Sequence, residues 1–299
     1  QVSPLRIAIL TKGSRGDLQP VVALALGLRR LSVGVRLVVF DELGHEEFLR
    51  PFRLDVDFIT ESSHDFLFGD FLDNYNQRQR AVVEKMKDFG PHLLLYRLEY
   101  VLEAFALEEQ FGIAGVEYSF WPHPPRLAEK RFLDILNRKA LMDAYLESET
   151  LQGLTAREVG DRMEGRGRPV LYAFSEEVVE RHPAWPDPTP TEGIHMFGYW
   201  LLGGKEQEAQ LSRGNDYFGG GSDGPALQEF LESGPPPVYV GWGSMNLLVP
   251  NRVTGPLAVR ALMIAKQRGI ILGSYTDLGA QALEQDKELQ AYAAENVLF

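Results

Sequence analysis

The 299-residue sequence contains no cysteine. That excludes a disulfide framework, a thiolate metal site and a thiol nucleophile, and it fits a cytosolic location. Basic charge is also scarce, with 30 Lys and Arg against 42 Asp and Glu and a formal net charge of -12. A nucleic-acid-binding surface needs clustered Lys and Arg to meet phosphates, so the balance argues against one. Apolar runs such as residues 21–28 are far short of the ~20 residues that span a bilayer. The N-terminus lacks the basic-then-apolar pattern of a signal peptide. Peripheral contact with a membrane surface stays open. Several motifs are absent too: the dinucleotide fingerprint G-x-G-x-x-G, the Walker A ending G-K-[ST], the G-x-S-x-G elbow, and any His, Asp and Glu grouping with metal spacing. No metal site is therefore expected. Residue 1 is Gln rather than Met, and the chain stops at "ENVLF", which reads as the start of a buried strand. Further sequence is expected beyond both ends.

Hydrophobic residues make up 44% and aromatics 11% of the chain, enough for two globular cores at this length. Residues 5–10 form an apolar run of strand length, residues 21–31 have helical spacing, and residues 35–40 form a second apolar run. This alternation is the signature of a βαβ unit in a parallel sheet. The pattern continues with a short helix at 44–52, strands at 56–59, 92–96 and 113–118, and a helix at 99–110. The charged stretches 74–89 and 129–164 are amphipathic and predict helices. "RPVLYAFSEEVV" predicts a strand and a short helix. Residues 203–224, "GGKEQEAQLSRGNDYFGGGSDG", are rich in glycine and polar residues without periodicity, and predict a flexible linker. Domains are thus expected at 1–202 and 225–299. After the linker, "PPPVYVGWGSM", a helix at 252–267 and "GIILGSY" begin a second βαβ series.

The stretch "LTKGSRGDLQP", residues 10–20, joins the first strand to the first helix. Gly13 and Gly16 permit a tight turn with close backbone approach to a bound group, and Pro20 suits the first turn of a helix. Such loops sit where α/β folds bind ligands. Two readings of Asp17 stay open. It is either a general base taking a proton from a hydroxyl, or a carboxylate that caps the helix and turn.

"GSRGDLQPVVALALGLRRLSVGVRLVV" resembles the N-terminal strand, loop and helix of GT-B glycosyltransferases of the sterol 3-beta-glucosyltransferase and antibiotic-glycosyltransferase group. "RPVLYAFSEEVVERHPAWPDPTPTEGIHMFGYWLL" resembles the end of that family's acceptor domain, and "FLESGPPPVYVGWGSM" the first strand and loop of its donor domain. The resemblance implies an α/β fold of GT-B type: a Rossmann-like N-terminal acceptor domain plus the first part of a second Rossmann-like donor domain. The family's segments beyond "ENVLF", including a glycine-rich motif with a His, have no counterpart here. "GSYTDLG" stands where the family commonly shows a glycine-tryptophan version.

The implied activity is inverting transfer of a hexose from a nucleotide sugar, UDP-glucose above all, to a hydroxyl of a sterol or other lipid-like acceptor, with no cofactor and no need for metal. Asp17 would be the base. Ser14, Arg15 and Gly16 would border the substrates, and Gly243 and Ser244 would turn backbone N–H and hydroxyl groups toward the donor phosphates. The alternative reading of "GWGSM" is a plain strand-end turn. His123, in "FWPHPP", either lines an acceptor pocket or stiffens a loop. His45, in "DELGHEEF", echoes a family position near the second strand but takes the reading of a surface helix residue. Trp121, Trp185, Trp200 and Trp242 read as packing residues, with Trp121 open to an apolar acceptor. The alternative from another functional class is a non-catalytic relative that binds an apolar ligand and has lost its donor site. A Rossmann-like oxidoreductase is a distant third without the dinucleotide fingerprint.

Overall fold

The computed structural model describes residues 4–41, 44–60, 71–97, 100–121, 169–183, 185–218, 223–243, 250–272, 279–283 and 285–299. The expected helix at 129–164 lies outside the described residues. The chain divides into two compact units, Gln1–Glu206 and Gln207–Phe299.

The first unit is built on seven parallel strands: β1 (Arg6–Lys12), β2 (Gly34–Asp41), β3 (Asp55–Thr60), β4 (Leu93–Tyr96), β5 (Ala114–Ser119), β6 (Pro169–Tyr172) and β7 (Gly193–Met196). Their order in the sheet is β3-β2-β1-β4-β5-β6-β7. Strand β1 is an interior strand, paired in parallel with β2 on one side and β4 on the other. Its near-continuous apolar run follows from burial on both faces. Ala8 and Leu10 join Val38, Phe40, Leu94, Tyr96 and Phe105 in one core cluster, while the intervening Ile7 and Ile9 are just as buried. Neighbouring side chains on a strand point to opposite faces, so each face carries its own layer.

Helix α1 (Arg15–Arg30) packs on β1 and β2 and buries Leu18, Val21, Val22, Ala25 and Leu26, which repeat at helical spacing. Helices α2 (Glu46–Leu49), α3 (Phe71–Phe89) and α4 (Val101–Phe111) follow in chain order. Val82 and Met86 of α3 and Val101, Ala104 and Phe105 of α4 complete the cluster that holds Ala8 and Leu10. The helix expected within "RPVLYAFSEEVV" is instead a run of turns after β6. Ser175 explains the difference, because its hydroxyl accepts the Glu177 N–H at 3.2 Å and so competes with helical bonding.

The segment expected to be a flexible linker is also different. Residues Gly204–Ser212 form helix α5, Asp216–Phe218 form a 3-10 turn, and helix α6 (Asp223–Glu232) begins before residue 224. Between the glycines lies "KEQEAQL", a run of strong helix formers, and they prevail over composition. Gln210 is fully buried there and accepts a hydrogen bond from Asn215 at 3.1 Å. The division between the two units falls inside α5 rather than across residues 203–224.

The second unit holds three parallel strands, β8 (Val238–Gly241), β9 (Gly269–Leu272) and β10 (Val297–Leu298), in the order β10-β9-β8. Helices α7 (Asn251–Ala265) and α8 (Lys287–Asn296) connect them. Val259, Leu262, Ile271, Leu283 and Leu289 form its core. Asp286 starts α8 as its N-cap, accepting the Leu289 N–H at 3.1 Å, and binds Arg260 of α7 at 2.7 Å. "ENVLF" supplies the end of α8 and β10. Among the described residues no helix is long and apolar enough to cross a membrane.

Candidate functional site

In the first unit the strand order reverses direction at β1. The chain runs from β1 outward through β2 to β3, then returns to place β4 on the other side of β1. Open parallel sheets bind ligands outside the carboxyl ends of their strands at such a reversal. The residues that leave β1 and β4 at that end are the opening loop and Arg97.

Gly13 adopts φ +108°, a conformation that L side chains rarely take, and it makes the sharp exit from β1. Ser14 is extended and caps α1. The helix therefore starts at Arg15, so Gly16 sits in its first turn and Pro20 lies at its sixth position rather than at its opening. The turn rests on Gly13 alone, since Gly16 has no left-handed φ. Arg15 lies along the helix surface, with its Nε donating to Gln19 Oε1 at 3.1 Å and its guanidinium 5.8 Å from the Phe48 ring.

Asp17, third in the helix, turns its carboxylate back over the loop. Oδ2 accepts the Ser14 N–H at 2.9 Å and the Ser14 hydroxyl at 3.2 Å. Oδ1 accepts Nη1 of Arg97 at 2.9 Å. The same Nη1 donates to the Lys12 carbonyl at 3.0 Å, so Arg97 fastens the end of β4 to the end of β1. Arg97 is buried, and Asp17 keeps a side-chain exposure of 20%. The aromatic residues after β5 flank the guanidinium, with the Trp121 ring centre 5.0 Å and that of Phe120 5.8 Å from it. Ser119 Oγ donates to the Trp121 carbonyl at 2.9 Å and holds that residue in place. Trp121 is half-exposed.

The end of β2 carries a second polar pair. Asp41 accepts the backbone N–H groups of Gly44 and His45 and faces His45 Nδ1 at 3.2 Å. His45 is buried, not a surface helix residue. The aspartate gathers the loop around itself and draws the ring inward, which a flanking run of acids conceals in the sequence.

The structure thus brings Ser14, Arg15, Gly16 and Asp17 together at one end of the sheet. Gly243 lies in the other unit, just after β8, at φ +55° and exposed. Ser244 and His123 lie outside the described residues. Trp185 is buried against Tyr172, Trp200 packs on Tyr118 and Phe120, and Trp242 is partly buried in the second core. Arg97 and Asp41 were missed in the sequence, although each directly follows a buried apolar run. No group of three or more His, Asp or Glu suited to a metal ion occurs among the described residues.

No protein-family model matches the chain. A sterol 3-beta-glucosyltransferase of Arabidopsis thaliana is 39% identical over 99% of this chain and 49% of its own length. UDP-sugar-dependent glycosyltransferase 52 of Dictyostelium discoideum is 25% identical over 90% of the chain but 17% of its own length. An O-mycaminosyltylonolide 6-deoxyallosyltransferase of Streptomyces fradiae is 26% identical, over 90% of this chain and 68% of its own. The chain is similar in sequence to sterol 3-beta-glucosyltransferases. It spans half or less of the length of its eukaryotic relatives named here.

Solved structures agree on the fold. The glycosyltransferase of kitacinnamycin superposes with a TM-score of 0.62 at 18% identity, covering 99% of this chain and 70% of its own. A UDP-glucosyltransferase of Polygonum tinctorium gives 0.59 at 12% identity, covering 100% and 72%. The chain therefore has the α/β architecture of the GT-B glycosyltransferases, with its Rossmann-like parallel sheet.

Proposed function

We propose that this chain belongs to an inverting hexosyltransferase that moves a sugar from UDP-glucose to a hydroxyl of a sterol or related lipid-like acceptor. The observation that carries the reading is the Asp17 carboxylate, held at the carboxyl end of β1 where the strand order reverses, with one oxygen still able to accept a proton. The similarity to a UDP-sugar-dependent glycosyltransferase and to sterol 3-beta-glucosyltransferases supports a nucleotide-sugar donor and a sterol acceptor.

In the proposed step the acceptor oxygen attacks the anomeric carbon from the face opposite the nucleotide. The new C–O bond forms as the bond to the phosphate oxygen breaks, and that electron pair leaves with UDP. The acceptor proton passes to Asp17. A carboxylate is too weak a base to ionise a free alcohol in advance, so it takes the proton as the attack proceeds. Positioning then supplies much of the rate. Ser14 and Arg15 would border the reacting groups, His123 would touch the acceptor, and Gly243 and Ser244 would meet the donor phosphates. The step needs no metal or organic cofactor. We place the protein in the cytosol with peripheral access to a membrane, where a sterol would be met.

Replacing Asp17 by Asn keeps the shape but removes the base. Turnover of UDP-glucose with a sterol acceptor should fall at least ~10²-fold. UDP affinity, read by isothermal titration, should stay unchanged. Comparable turnover in the variant returns Asp17 to the role of a helix cap. Acceptor binding without any turnover in the unaltered full-length protein overturns the enzyme reading itself.

A further inference from the structure

A carboxylate offers about four acceptor positions, two on each oxygen. On Asp17, Oδ2 has both filled, by the N–H and the hydroxyl of Ser14. Oδ1 has one filled, by Arg97. The two oxygens are therefore chemically different, and only one can receive a proton without losing a bond that begins α1.

We propose that Asp17 Oδ1 is the atom that takes the acceptor's proton and that Arg97 is the positioning residue that aims it. This inference rests on the reading of Asp17 as the base. Arg97 is suited to aim because it is itself held on several sides. Its Nη1 reaches the Lys12 carbonyl as well as Asp17, and the rings of Trp121 and Phe120 flank its guanidinium. Arg97 follows β4 directly, and β4 is hydrogen-bonded to β1, so the sheet itself sets the distance between cation and carboxylate. A guanidinium does not lose its proton at neutral pH, so it orients the base without competing as an acid. Because the bond to Arg97 and the bonds to Ser14 pull on different oxygens, they fix both the carbon–carbon torsion and the tilt of the carboxylate. A base misplaced by about 1 Å loses on the order of 10²-fold in rate.

The test compares Arg97→Gln and Arg97→Lys with Asp17→Asn in the purified full-length protein, using UDP-glucose and a sterol. For Arg97→Gln, kcat should fall about 10²-fold while the acceptor KM stays within about threefold. Arg97→Lys, which keeps a cation and donors, should recover part of that loss. Combining Arg97→Gln with Asp17→Asn should slow the reaction no further than Asp17→Asn alone, because a positioning residue has nothing left to aim. A purely structural role would instead lower stability and KM-dependent terms, and its effect would add to that of Asp17→Asn. Wild-type kcat in Arg97→Gln, beside an inactive Asp17→Asn, overturns this inference and leaves the base standing. Normal turnover in Asp17→Asn removes the base and the inference together. A crystal structure of Arg97→Gln reads the same point without turnover. The carboxylate should swing while keeping a bond to Ser14, and an unmoved carboxylate refutes the aiming role.

Discussion

Gly13→Ala strikes the candidate site from the backbone side. A Cβ at Gly13 would fall 2.3 Å from Asp17 Oδ2 and 2.8 Å from Asp17 Cγ, closer than real Cβ contacts, so the carboxylate must move. Its bonds to Ser14 and Arg97 move with it. Two costs combine. A side chain forced into the φ of +108° seen here is strained by about 1–3 kcal/mol, and loss of the helix-capping bond adds about 1 kcal/mol. A total of about 2–4 kcal/mol follows from those ranges. For a domain of this size each kcal/mol lowers the melting midpoint by about 2–4 °C, so a fall of roughly 5–15 °C is expected. Urea unfolding and calorimetry of both proteins measure it. Gly243→Ala serves as the control, since its φ is +55° and a Cβ there meets nothing within 4 Å. It should cost about 1–2 kcal/mol, the strain of the left-handed region alone. If Gly13→Ala loses no more than the control, the carboxylate does not lie against Gly13 and the geometry of the loop is wrong.

Two further perturbations probe the scaffold. Tyr118 donates its buried hydroxyl to the Leu10 carbonyl at 3.0 Å, tying β5 to β1, so Tyr118→Phe should cost about 1 kcal/mol in urea unfolding, and a neutral result would show that the bond contributes nothing. Lys85 is raised above its ordinary pKa by its hydrogen bond to Asp57, 3.0 Å away, and by the charge of that aspartate. A raised lysine stabilises the fold below its unfolded value of ~10.4 and loses that contribution as pH climbs through the folded value. The stability gap between wild type and Lys85→Met should therefore close in alkaline solution, and a gap that persists well above pH ~10.4 refutes the pairing.

The fold was legible where a local pattern has one physical solution. A run of consecutive apolar residues such as β1 must be covered on both faces, and the helical spacing of residues 21–31 supplies one cover. Legibility failed where composition stood in for mechanism. Glycines at both ends of residues 203–224 suggested a linker, yet the polar residues between them are helix formers, and Gln210 pairs with Asn215 in the interior. After β6 the opposite error arises. "SEEVV" has helical composition, but a serine hydroxyl that bonds the backbone two residues on favours a turn.

The site divides along the same line. Ser14, Gly16 and Asp17 are near neighbours at the cap and first turn of α1, so a single stretch of sequence brings them together. Arg97 lies 80 residues from Asp17, and only the strand order places β4 beside β1. A local signal does exist. Asp41 follows the buried run Leu37–Phe40, and Arg97 follows the buried run Leu94–Tyr96. A charge that begins where a buried strand ends starts its path in low dielectric, and it stays ionised there only beside donors or a counter-charge. Asp41 finds backbone N–H groups and His45, and Arg97 finds Asp17 and the Lys12 carbonyl. In a parallel sheet every such residue emerges at the same edge, the edge where ligands bind. Charged residues that follow the apolar runs of parallel strands are therefore candidates for one another's partners on sequence grounds alone, and the strand order decides which pair can meet.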